Sequence, residues 1–283
     1  MKVLHVVATY LPAVRYGGTI TSVHGLCRTL AARGHQVHVF TTSVDGPTDS
    51  DVPHDRAVTI DGVSVHYFPS RYGRRVYWSP PMGRALRERV REFDIVHTHA
   101  IYLWPLWTAA HRARKANVPY IVSPRGMLEK GLIARQSPVA KSLLIGMVEK
   151  RVLENAAAIH VTSEREAAEA RAFGFDLPVM VTIPNGIDVE ATRSSLSEFA
   201  GVLPDRYALF LGRLNWKKGL DRLVAALSYA PGQRLVIAGP DEAGYRATVE
   251  RLARDAGVAE RIVFLGPVTG GSKAALIERA DCL

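Results

Sequence analysis

An α/β fold in two domains, each carried by a parallel sheet and the second short of strands, is predicted by three observations. The chain has 283 residues, too many for one ordinary hydrophobic core and enough for two. Short runs rich in Val and Ile alternate with longer stretches of helical period, the pattern of βαβ units. A turn followed by a polar stretch interrupts that alternation near residue 186, and a new series starts beyond it.

In the first series Val3–Ala8, Gln36–Thr41, Val63–Phe68, Ile95–Thr98, Tyr120–Ser123, Ala158–Thr162 and Val179–Ile183 read as strands buried on both faces. Thr19–Arg33 reads as the first crossover helix, ending at Gly34, which suits the position just past a helix C-terminus. Pro138–Asn155 is a second helical stretch, and Glu164–Phe173 a shorter one ending at Gly174. Pro184-Asn185-Gly186-Ile187-Asp188 is a turn signal and Glu190–Glu198 is linker-like. The expected division is residues 1–186 for the first domain, 187–203 for a linker and 204–283 for the second. There Tyr207–Leu211, Arg234–Ala238 and Arg261–Leu265 read as strands, and Leu220–Ala230, Tyr245–Ala256 and Ser272–Ala280 as helices. A fourth strand would begin at Asp281-Cys282-Leu283. The second domain is therefore expected to be incomplete against the roughly five or six strands of a doubly wound domain.

The composition, 47% hydrophobic and 22% charged, is that of an ordinary globular protein. No apolar run approaches the roughly 20 residues of a membrane helix. Met1–Tyr10 holds one lysine and an apolar run, but no small-residue cleavage site follows; it reads as a first strand, and the protein as cytoplasmic. Cys27 and Cys282 read as buried small apolar residues. The histidines are scattered along the chain and no carboxylates have cation-ligand spacing, so no metal site is expected. No nucleophile-elbow pattern surrounds Ser163. The net charge of +9 points to phosphates, nucleic acid or an anionic surface. It is concentrated once: residues 71, 74, 75, 84, 87, 89 and 91 are arginines, set against Glu88 alone and interleaved with Tyr72, Tyr77 and Trp78. That mixture suits a lipid headgroup surface or a phosphate-bearing substrate, and equally a solvated loop and helix face. No nucleic-acid recognition signature accompanies it.

Two segments have the chemistry to hold phosphate. Gly17-Gly18-Thr19 follows the first strand and opens the first helix, where glycines admit close backbone approach and a helix N-terminus favours anions. It lacks the three spaced glycines of a dinucleotide site. Gly212-Arg213-Leu214-Asn215-Trp216-Lys217-Lys218-Gly219 lies between the first strand and first helix of the second domain, at the carboxyl end of the sheet where α/β folds bind ligands. The planar fork of Arg213 and the point charge of Lys218 are suited to gripping one diphosphate together, and fixed cations there stabilise a departing diphosphate as its charge grows.

Gly212-Arg213-Leu214 with Lys218-Gly219, together with Ile183-Pro184-Asn185-Gly186-Ile187-Asp188, resembles glycosyltransferase family 4. Further along the same pattern, Pro12–Thr19 fits the family's glycine-rich loop and Asp94-Ile95-Val96-His97-Thr98-His99 its acceptor-domain strand. Ala238-Gly239-Pro240 and Phe264-Leu265-Gly266-Pro267-Val268 fit its donor domain. Ser123-Pro124-Arg125-Gly126-Met127-Leu128 resembles a branch found among exopolysaccharide and lipopolysaccharide assembly enzymes. The resemblance covers essentially the whole chain. It implies a GT-B architecture of two Rossmann-like domains and a sugar transfer with retention.

Residue by residue, the resemblance implies that Arg213 and Lys218 bind the donor diphosphate and take part in catalysis. Gly17, Gly18, Gly212 and Gly239 would line the donor site, with Val268 near the nucleobase. His99 would face the transferred sugar, or else is a hydrogen-bonded core histidine; His97, two positions earlier, should point to the same side of the strand, and the sequence does not separate the two. Tyr16, His97 and Arg125 are the acceptor-side candidates. Arg125 stands where many relatives carry histidine, so it binds an acceptor phosphate or makes a structural ion pair. The family's paired glutamates are absent: Glu190…Glu198 and Glu242…Glu250 have the spacing but lie in the wrong places. The function implied is transfer from a nucleoside diphosphate sugar, UDP or GDP unresolved, to a glycan or polyprenyl-linked acceptor in cell-surface polysaccharide synthesis, with neither cofactor nor metal. Arg71–Arg91 would hold the enzyme at the anionic inner face of the membrane. The alternatives are a nucleotide-sugar epimerase or a phosphorylase of similar fold, a non-catalytic binding module, and a nucleic-acid-binding protein.

Overall fold

The Val- and Ile-rich runs become strands, since branched side chains pack best on a pleated surface with both faces covered. The computed structural model describes residues 1–13, 17–128, 148–186, 196–242 and 244–283, and the chain divides into two units, Met1–Asp188 and Val189–Leu283. The first unit carries β1 (Lys2–Thr9), α1 (Gly18–Ala32), β2 (Gln36–Thr42), β3 (Val44–Asp45), β4 (Thr48–Asp49), β5 (Val58–Ile60), β6 (Val63–Phe68), α2 (Pro80–Arg89), β7 (Ile95–His99), α3 (Trp104–Lys115), β8 (Tyr120–Ser123), α4 (Lys150–Glu154), β9 (Ala158–Val161), α5 (Glu164–Arg171) and β10 (Met180–Thr182).

Its sheet runs β10-β9-β8-β7-β1-β2-β6-β5. All neighbours are parallel except β5 and β6, a hairpin turned at Asp61-Gly62; β3 and β4 form a separate antiparallel ribbon. The expectation of a purely parallel sheet is corrected at this edge: two residues are enough to reverse a strand, whereas a parallel return needs a crossover. The order of the strands reverses between β1 and β7. Alternation along β1 sends Leu4 and Val6 into the core shared with α2 and α3, and Val7 into the core under α1. Met82 and Leu86 of α2 and Ala109 and Ala113 of α3 close the first core; Val23 and Cys27 of α1 close the second. Ser79 caps α2 by accepting from Met82 N, and Pro80 begins it.

Two readings change. β10 was expected to be buried on both faces, yet Val179, Val181 and Ile183 are 64%, 42% and 54% exposed, because an edge strand has a neighbour on one side only. Of Pro138–Asn155, the described part is helical at Lys150–Glu154; residues 138–147 lie outside the described residues.

The second unit carries β11 (Ala208–Leu211), α6 (Leu220–Ser228), β12 (Leu235–Ala238), α7 (Tyr245–Asp255), β13 (Ile262–Gly266) and α8 (Gly270–Arg279), with parallel order β11-β12-β13. On the free side of β11, Cys282 makes a parallel bridge with Ala208 and its carbonyl accepts from Leu209 N at 2.8 Å. This bridge lies on the side of β11 away from β12. Cys282 is exposed, not buried as expected, since only its backbone joins the sheet; Cys27 is buried.

Candidate functional site

The strand reversal at β1 and β7 opens a crevice at their carboxyl ends, the place where such sheets bind ligands. The backbone is strained there: Ala100, Tyr102 and Arg125, at the ends of β7 and β8, have φ of 82°, 65° and 56°. Gly17, with φ 73°, opens α1 on the other side, followed by Gly18, where an added Cβ would meet open space. Tyr16 lies outside the described residues.

Parallel register places His5 of β1 beside His97 of β7, and alternation puts His99 on the same face. Ring nitrogens of His5, His97 and His99 all lie within 4.8 Å of one another. Histidines scattered in sequence are therefore gathered in space, a correction that strand order alone produces. His5 and His99 are fully buried and His97 is 8% exposed. Burial disfavours the charged ring, aided by the neighbouring cations: His5 is lowered to about 3, and His97 and His99 well below the usual range.

With neutral rings, the partners decide the tautomers. Arg125 Nη2 lies 3.2 Å from His99 Nδ1, and a guanidinium only donates. The proton of His99 is then on Nε2, donated to His5 Nδ1 at 2.8 Å. The proton of His5 follows onto Nε2, which is buried without a partner among the described residues. A second relay runs beside it. His160 Nε2 donates to the Ile183 carbonyl at 3.0 Å, so its Nδ1 accepts from Ser123 Oγ at 2.8 Å, and Ser123 accepts from His97 Nε2 at 2.8 Å. A cation among these rings would have to displace the protons on both Nε2 atoms of β7 beside a guanidinium. The set as placed is a hydrogen-bonded network.

His99, expected to face a sugar, is thus buried with both nitrogens engaged. Arg125 and His160 are the members that line open space. They border a hollow of about 310 Å³ with Ser22 and Thr29 of α1 and Asn185, whose Oδ1 accepts from Arg125 Nη1. The structural ion pair considered for Arg125 is absent among the described residues. Nearby Glu166 is occupied by Gly126 N, Thr162 N and Thr162 Oγ1 at 2.7, 2.7 and 2.8 Å.

In the second unit the loops after β11 and β12 are zipped together. Gly212 N donates to Ala238 O and Leu214 N to Pro240 O, both at 2.9 Å. Gly239, with φ 149°, permits this: a Cβ there would lie 1.9 Å from Gly212 O. Asn215 Oδ1 accepts from Lys217 N, turning the chain through Trp216–Lys218 to Gly219, whose φ of 71° starts α6. Lys218 is exposed, with no ion-pair partner among the described residues. Arg213 Nη1 lies 3.3 Å from Glu242 Oε2. This contact was not read from the sequence, where Glu242 and Glu250 had been weighed only as a spaced pair; Glu250 instead pairs with Arg246 at 2.7 Å. Val268 packs against the cluster of Tyr207, Leu209 and Leu276.

Residues 17–186 match the family model described as a glycosyl transferase 4-like domain, and residues 198–283 the one described as glycosyl transferases group 1. The chain is 31% identical over 278 residues to a D-inositol 3-phosphate glycosyltransferase of Xylanimonas cellulosilytica, covering 89% of this chain and 65% of that relative. Among solved structures, a sucrose-phosphate synthase from Thermosynechococcus elongatus aligns with a TM-score of 0.73 at 21% identity, over 100% of this chain and 75% of its own. HepE of Anabaena, solved with UDP and glucose, aligns at 0.70 and 16% identity, over 99% and 72%. These last two likenesses concern the fold.

Proposed function

The chain belongs to glycosyltransferase family 4 and has the GT-B fold, and on that premise we propose that it serves transfer of a sugar, with retention, from a nucleoside diphosphate sugar to a glycan or polyprenyl-linked acceptor. The observation that carries the reading is the Gly212–Gly219 loop. It brings a guanidinium, an exposed lysine and a helix N-terminus to the carboxyl end of a parallel sheet, with backbones held close by Gly239. On this reading Arg213 and Lys218 bind the diphosphate, and Gly212, Gly239 and Val268 shape the donor site. The acceptor hydroxyl attacks the anomeric carbon on the face the diphosphate leaves. The new C–O bond forms as the sugar–phosphate bond breaks, and the hydroxyl proton passes to the departing phosphate. Cations stabilise that departing charge without a metal.

The first unit takes the acceptor through Arg125 and His160, which border the hollow beside α1, while His97 and His99 are buried. A second surface supports a site of action at the inner membrane face in cell-surface polysaccharide synthesis. Between α2 and α3, Trp78, Trp104 and Trp107 line a hollow of about 530 Å³ with Arg84, Arg87 and Arg112. Aromatic rings among cations suit an anionic headgroup layer. Arg74 is not part of it, being engaged by Asp49 at 2.8 Å. Among the described residues no helix is long and apolar enough to cross a membrane.

The test is the melting temperature with UDP, GDP and ADP, each in EDTA. A ligand at about 100 times its dissociation constant adds roughly 2.7 kcal/mol. One nucleotide is expected to shift the melt without metal; no shift from any of them, in this chain and in one extended beyond Leu283, defeats the reading.

A further inference from the structure

A guanidinium taken from water needs a counter-ion, because an uncompensated buried charge is among the costliest features a fold can carry. Arg74, at 30% side-chain exposure, has Asp49. Arg125 is half-buried, and its partners among the described residues are neutral: His99 Nδ1 and Asn185 Oδ1. Its Nε is buried with no partner among the described residues. Glu166 is close enough for its charge to act on Arg125, but the two make no ion pair among the described residues, and its oxygens accept from three neutral donors. Arg125, at φ 56°, and Gly126, at φ 72°, are the central residues of a turn closed by Met127 N donating to Pro124 O at 3.2 Å. The side chain is oriented by neutral groups beside a hollow bordered by the hydroxyl-bearing Ser22 and Thr29.

We propose that Arg125 is the receptor for a phosphate group borne by the acceptor, and that His5, acting through His99, holds it in place. The proposal rests on the reading of the first unit as the acceptor-binding one. Bidentate recognition of phosphate is what a fixed guanidinium does best. His5 is a positioning residue: its Nδ1 accepts the Nε2 proton of His99, and this keeps His99 Nδ1 bare to receive Arg125. Arg125 and His5 thus hold His99 in the same tautomer; without an acceptor at position 5 only the guanidinium keeps the proton on Nε2, and the other tautomer sets N–H against N–H at Arg125.

The test is a titration of inorganic phosphate into the 283-residue chain saturated with UDP, with ionic strength held by chloride. Wild type is expected to bind phosphate alongside UDP. R125Q should weaken phosphate by about tenfold or more, the loss of charge-assisted bonds. H5F should weaken it by a smaller factor, and H5N, whose Oδ1 replaces Nδ1, should restore it. Melting curves identify a variant that fails to fold; in that event the tautomers are read in wild type by ¹⁵N-histidine spectra, and a His99 proton on Nδ1 overturns the positioning role. R125Q binding phosphate as wild type does, phosphate competing with UDP, or no phosphate binding overturns the receptor. If UDP itself does not bind, the donor reading fails separately, and the same titration on the nucleotide-free chain still decides Arg125.

Discussion

Replacing Gly239 by alanine tests the architecture of the second unit more sharply than any charge change. The new Cβ would sit 1.9 Å from Gly212 O and 2.6 Å from Gly212 C, both backbone atoms that no rotamer can move. Ordinary contact is about 3.5 Å, so the two loops must part by about 1.5 Å. That opens the bonds from Gly212 N to Ala238 O and from Leu214 N to Pro240 O, both at 2.9 Å, each contributing about 1 kcal/mol. The positive φ adds about 1–2 kcal/mol of strain. The expected loss is about 3–5 kcal/mol, concentrated where Arg213 must be presented. Gly232 is the control: its φ is 83°, but nothing lies within 4 Å, so Gly232→Ala should cost only the strain, about 1–2 kcal/mol. Hydrogen exchange of the β11 and β12 amides reports both opening energies in the same chain. If G239A and G232A agree to within about 1 kcal/mol, close backbone approach does not hold these loops.

Three further outcomes follow from single groups. Glu149 is buried and raised from 4.5 to about 7, chiefly by burial, although Tyr102 N and Trp107 Nε1 donate to it at 2.5 Å. Because the folded value is the higher one, its contribution is full below about pH 4.5 and is lost as pH rises through 7, at most about 3 kcal/mol. Glu149→Gln, which keeps an accepting oxygen but never ionises, should therefore melt above wild type at pH 8, with the gap closing near pH 5; a gap independent of pH refutes the titration. Glu242 competes with the diphosphate for Arg213, so Glu242→Gln is expected to tighten UDP severalfold in a binding titration, and unchanged or weaker binding would show that the pair orients Arg213 instead. Vesicles of anionic lipid should retain the chain at low salt and release it as salt rises, and Arg84→Glu with Arg87→Glu should abolish retention; retention resistant to salt speaks against an electrostatic face.

Local patterning determined much of this protein before any tertiary contact was known. Val3–Ala8 or Tyr120–Ser123 is a strand by its own composition, and Gly212–Gly219 announces a ligand loop by its place between a strand and a helix. Such features are encoded within ten or so consecutive residues, where periodicity and turn chemistry act. Trp104–Lys115 was missed because its first turn, Trp-Pro-Leu-Trp, does not read as a helix until Pro105 is seen in the first turn, and Val58–Ile60 because three residues carry no period. Joint features were beyond reach. That His5 meets His97, that Arg125 caps His99, and that Glu242 reaches Arg213 depend on strand order and register, which bring together residues 92, 26 and 29 positions apart (97 − 5, 125 − 99, 242 − 213). Nothing in a one-dimensional pattern specifies which strands become neighbours. The burial that removes charge from the histidines, and leaves Arg125 without a carboxylate among the described residues, exists only once the sheet has closed over them.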